Sequence, residues 1–141
     1  MLHLLKVLLI SSLISVSLGC SDSGPQEGLS SSVEATDLTR QMVGQWGSDG
    51  EVTLIIELIG DTVVFSAPEN DTWRMDVLDA RIVDQEVHFI QKNFLHDGSS
   101  HPFNGVACET TVKLLDDDTL QLAMTTDSSP DLESEVLSRI P

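Results

Sequence analysis

Val52-Thr53-Leu54-Ile55-Ile56-Glu57-Leu58 decides the fold, because positions 52, 54, 56 and 58 are all apolar and a two-residue period marks a half-buried strand. Gly60-Asp61 follows two residues later and fits a tight hairpin turn with glycine first, so Thr62-Val63-Val64-Phe65 is expected to return antiparallel. Working outward, Pro68 and its turn-forming neighbours interrupt the pattern. Trp73, Met75 and Val77 mark one face of the next strand, and Ile82-Val83 leads to a turn at Asp84-Gln85. Val87 and Phe89 alternate with Glu86 and His88 beyond it. A further hairpin runs from Ala107 to Leu115, turns over Asp116-Asp117-Asp118 and returns through Met124.

The final segment, Glu133 to Ile140, alternates as a strand, although Leu132, Val136 and Arg139 would also share one face of a helix. Upstream, Thr36 can cap a short helix over DLTRQMV, with Leu38 and Met42 turned inward and Gly44 ending it. The expectation is an all-β domain over 37–141. It is an antiparallel meander of about seven to nine short strands that curls into a small barrel or a strongly curved sheet, with one short N-terminal helix.

The chain has 141 residues and a formal net charge of −16. Residues 1–19 read as an export signal: Lys6 is the only Lys or Arg, Val7 to Leu18 is apolar or small, and Gly19 precedes Cys20. Removing 19 of 141 residues leaves 122, room for one domain, and the loss of Lys6 takes the charge from −16 to −17. Such a surface repels phosphate backbones, which argues against nucleic acid, whereas a basic protein remains a natural partner. Residues 20–36 are rich in Ser, Gly, Pro and acids, and are expected to be a flexible tether.

Val16-Ser17-Leu18-Gly19-Cys20 resembles the lipobox of bacterial lipoproteins, with Ser17 where leucine is commonest. The resemblance implies acylation of the Cys20 thiol and anchoring in a membrane. An ordinary secretory signal cut nearby would instead leave Cys20 a thiol. Ser21, rather than an aspartate, follows the cysteine, which in enteric-type bacteria implies the outer membrane, facing the periplasm. Cys108 would then have no intramolecular partner. Cys108 shares a strand face with Val106, Thr110, Val112 and Leu114, the more apolar of the two, where a buried, inert thiol is expected.

Gly44-Gln45-Trp46, after a short helix and before a strand meander, resembles the G-x-W signature of lipocalins. In that family the tryptophan plugs the closed end of an eight-stranded barrel and a late arginine lies over its ring. Arg139 stands at the matching place, and the resemblance implies carriage of a small apolar molecule. His96, Asp97 and His101, with His88 as a further donor, are the candidate zinc or copper ligands, but they make neither an HExxH pair nor an evident four-ligand set. No G-x-S-x-G elbow, thiol-protease frame or phosphate-cradling glycine loop is present. The expectation is therefore a non-enzymatic envelope lipoprotein without a cofactor, which binds an apolar ligand or serves as a scaffold. The alternative is an interaction protein, such as an inhibitor of a basic lysozyme, steered by its acidic surface.

Overall fold

The computed structural model describes residues 28–68, 71–98, 100–102, 104–127 and 129–141; the proposed signal, Cys20 and the tether as far as residue 27 lie outside them. Along the chain run β1 (Ser31–Glu34), α1 (Asp37–Gln41), β2 (Gly44–Ser48), β3 (Glu51–Ile59), β4 (Thr62–Ser66), β5 (Trp73–Val83), β6 (Glu86–Leu95), β7 (Ala107–Asp116), β8 (Thr119–Thr126) and β9 (Ser129–Ile140). Their order in one sheet is β1-β4-β3-β2-β9-β8-β7-β6-β5. Every neighbouring pair is antiparallel: β2–β4 and β5–β9 are two up-and-down runs, joined where β2 pairs with β9 through Gln45 with Ile140, Trp46 with Arg139 and Gly47 with Ser138. The result is a nearly closed barrel. The last segment is a strand, since this pairing holds it extended.

The turns carry the geometry that their residues dictate. Gly60 has φ +61 and joins the paired Ile59 and Thr62, so glycine occupies the position where an L side chain is disfavoured. Asp49-Gly50, with φ +53 and +80, makes the β2–β3 hairpin, as an Asp-Gly pair with positive φ at both positions dictates. At the β5–β6 turn Asp84 and Gln85 both have positive φ, +49 and +66, which costs a non-glycine residue about 1–2 kcal/mol. Glycine at 85 would remove that strain, while the extra freedom of the unfolded chain would take back about 0.4–1 kcal/mol. Gln85→Gly is thus expected to stabilise the fold by roughly 0.5–1 kcal/mol and raise the thermal midpoint by a few degrees, read by calorimetry. A lower midpoint would contradict this account of the turn.

Fifteen buried apolar side chains form one cluster inside the barrel, including Trp46, Leu54, Ile56, Phe65, Val77, Phe89, Val112, Leu120 and Leu137. Between the bulges the inward positions of β3 to β8 follow the two-residue period, and Phe65 meets Phe89 with ring centroids 6.1 Å apart. Thr36 accepts from the Thr39 amide while its own amide donates to Thr39 Oγ1, a capping box that starts α1. Behind that cap Met42 and Thr39 are fully buried.

Two expectations are corrected. The folded part does not begin at 37: Ser31–Glu34 is a strand, paired with β4 from Ser31 against Phe65 to Glu34 against Thr62. A serine-rich segment whose one buried apolar side chain is Val33 carries no periodic signal, and its order comes from its partner's edge. Cys108 does face inward, between half-buried Val106 and buried Thr110, but it is itself half-buried rather than buried.

Candidate functional site

The two ends of the barrel differ in how they are finished. At one end lie α1 and the turns between β3 and β4, β5 and β6, and β7 and β8; at the other β2, β4, β6 and β8 end and β3, β5, β7 and β9 begin.

The structure brings Gly44, Trp46 and Arg139 together at the first of these ends. Trp46 is fully buried, and its indole N–H donates to Met42 O at 2.8 Å. The Arg139 guanidinium lies over the indole with Cζ 4.2 Å from the ring centroid. Its N–H groups also donate to three carbonyl oxygens: Val43 O at 2.6 Å, Gln41 O at 3.0 Å and Asp117 O at 2.8 Å. Gln41 and Val43 sit at the C-terminal end of α1, where helix carbonyls lack intrahelical donors, and a planar five-donor group can serve several at once. Gly44 has φ +149, and a Cβ there would stand 2.5 Å from Arg139 Nη1. Glycine is required by the backbone and by the cation beside it. The acidic tip of the β7–β8 hairpin joins the same plug through Asp117. Next to it the Asp118 amide donates to Asp116 at 2.9 Å and, helped by the Thr119 hydroxyl, holds the Asp116 carboxyl below the usual carboxylate range.

At the opposite end the inward side chains are less completely covered. Ladder pairs set its inward side chains: Met75 opposite Asn93, Val77 opposite Gln91, Gln91 opposite Cys108, and Thr110 opposite Met124. The inner face changes character along β6 and β7. Val87, Phe89 and Val112 are fully buried and apolar, whereas Gln91 and Thr110 bring polar atoms inward and share a 3.4 Å contact. Trp73, Cys108 and Met124 are only half-buried, although they belong to the inward set. On the β2–β9 side Ser48 Oγ donates to Glu135 Oε1 at 2.8 Å. The inner face thus starts apolar and ends in half-buried Trp73, Met124 and Cys108 beside the hydrogen-bonding groups of Gln91 and Thr110. The sequence reading placed Trp73 and Met75 on a strand face without assigning them to a site. The missed signal is the change of inward residues from Val and Phe to Trp, Met, Gln and Thr.

His96, Asp97 and His101 are exposed on the β6–β7 connection at this end. That connection is braced by Asn104, whose side-chain carbonyl accepts from the Leu95 amide at 2.9 Å, and by the His96 amide donating to Thr72 O at 3.0 Å. His88 cannot join these histidines. It lies within β6 on the outer face, 3.5 Å from Glu86 and in contact with Thr111, and His96 is eight residue steps further along the extended chain, about 26 Å. Among the described residues no group of three or more His, Cys, Asp or Glu is placed to hold a metal ion. No helix among them is long and apolar enough to cross a membrane.

No protein-family model, curated protein or solved structure matches this chain.

Proposed function

We propose that this chain is a non-enzymatic, lipid-anchored protein of the bacterial cell envelope whose barrel holds a small apolar ligand at its mouth, in the manner that the lipocalin resemblance implies. The observation that carries the reading is the asymmetry of the two ends. One end is sealed by α1, Trp46 and Arg139, whereas at the other the inward-facing Trp73, Cys108 and Met124 are half-buried. Attachment at Cys20 in the outer membrane, facing the periplasm, would keep the mouth close to a source of acyl chains, because Gly28 lies against Met75 at that end and only seven residues separate it from Cys20.

Two measurements test the two halves of the reading. Titrating the protein with dodecanoate is expected to shift tryptophan emission to shorter wavelength and to saturate, and Trp73→Phe should abolish the shift because the other tryptophan, Trp46, is sealed in the far end. A flat titration of the wild type would sink the ligand reading. For the anchor, mass spectrometry of the mature N-terminal peptide is expected to show a diacylglyceryl group on Cys20. An unmodified Cys20 would remove the lipoprotein assignment and leave the barrel unaffected.

A further inference from the structure

A ring of strands that alternate in direction closes only with an even number, and this wall has a ninth strand inserted between β4 and β5. β1 is antiparallel to β4, so it must run parallel to β5. The contacts agree: Leu29 O accepts from the Val77 amide at 2.9 Å, and Ser31 Oγ accepts from the Ala80 amide at 2.9 Å, so residue numbers rise together along both segments. These contacts do not form a regular ladder. Between them β5 carries a bulge, where register shifts between Leu78 and Arg81 and Asp79 takes φ +53. A third contact comes from the side chain of Asp76, which is nearly buried beneath this segment, accepts from the Leu29 amide at 2.9 Å and lies 3.5 Å from Arg74 Nε. Gly28 passes so close to β5 that a Cβ would collide with the Met75 carbonyl oxygen.

We propose that residues 28–34 are a strap, hinged at Ala35-Thr36, which closes the barrel wall between β4 and β5 and detaches as a unit while the β2–β9 meander stays folded. Four features assign this role. Among the described residues the β1–β5 side is the one join in the wall without a regular ladder, and pairing in parallel is the weaker kind. The strap contributes one buried apolar side chain, Val33, to the core. Its hinge is tied by the Ala35 amide to Asp61 O at 2.9 Å and is followed at once by the capped start of α1, so the strap can leave without pulling the helix. It also begins beside Met75, a mouth residue, and is the first described segment after the proposed anchor. Release would uncover the edges of β4 and β5 and open a lateral slot toward Met75 and Val77. Use of that slot as an entrance for an apolar chain rests on the ligand reading above, whereas the opening itself does not.

Native-state hydrogen exchange on the full chain, without added ligand, tests the strap. The Val77 and Ala80 amides are expected to exchange well before those of the β7–β8 ladder. In Ser31→Ala, which removes the acceptor for Ala80 and leaves the core intact, the same two amides should exchange about tenfold faster again while the β7–β8 amides stay unchanged. Gly28→Ala, which forces the segment away from Met75, should act in the same direction. Equal acceleration of all strands would overturn the proposal, since β1 would then be integral to the global fold. No acceleration at Val77 and Ala80 in either variant would also overturn it, because those contacts would not be what holds the wall shut.

Discussion

Arg139→Ala is expected to lower stability by about 2–3 kcal/mol and to shift Trp46 emission to longer wavelength. The cation over the indole, with Cζ 4.2 Å from the ring centroid, contributes about 0.5–2 kcal/mol, toward the upper part of that range because the ring is fully buried. Removing the guanidinium also strips the carbonyls of Gln41, Val43 and Asp117 of a charged donor. The Arg139 side chain is 30 % exposed, so water can replace part of what is lost, and each carbonyl costs less than a fully buried one would. The nearby Asp118 carboxylate adds little, being 82 % exposed and 3.7 Å from Nε. Arg139→Lys should recover less than half of the loss, because an ammonium on a flexible stem cannot both stack on the ring and reach carbonyls on two sides. Arg40→Ala, on the exposed side of α1, should change stability by no more than about 0.5 kcal/mol. Chemical denaturation followed at Trp46 distinguishes these outcomes, and an Arg139→Ala protein as stable as wild type would show that the plug does not hold the closed end.

Gly44→Ala is expected to cost about 3 kcal/mol, for two reasons that can be separated. A side chain at φ +149 is strained by roughly 1–3 kcal/mol wherever it occurs. The new Cβ would in addition displace the Arg139 guanidinium, whose Nη1 stands 2.5 Å from its position, and so weaken the stack on Trp46. Gly50→Ala is the matched comparison, with φ +80 and open space around the added carbon, and should show strain alone. In the double variant Gly44→Ala/Arg139→Ala the collision is gone, so the two losses should sum to less than their separate values by about 1 kcal/mol. Simple additivity in that cycle would mean that glycine is needed for the backbone and not for the arginine.

The hairpins were legible because each is a local pattern. Alternation at 52–58 and 107–115 names the faces of β3 and β7, Gly60-Asp61 and Asp84-Gln85 name turns, and Thr36 names a helix start. Asp49-Gly50 is an equally local turn signal, set directly against the start of the apolar run. The meeting of Trp46 with Arg139 was legible in a different way, through a family resemblance supported by the topological need of a closing meander to join its first and last strands.

What the sequence determined by itself was period, punctuation and charge: an all-β meander with one capped helix, an acidic surface, and the inward faces of most strands. Tertiary structure alone decided where the wall is closed and which end is capped by the helix and the Trp46–Arg139 plug. Residues 28–34 have too little apolar content to specify a strand, and they become one because β4 offers unpaired backbone groups and β5 offers three further contacts. The half-exposure of Trp73, Cys108 and Met124 was equally invisible, since alternation tells which face a side chain occupies but not how near it stands to the end of the barrel. Burial depends on what arrives from the other strands, and those partners lie tens of residues away along the chain.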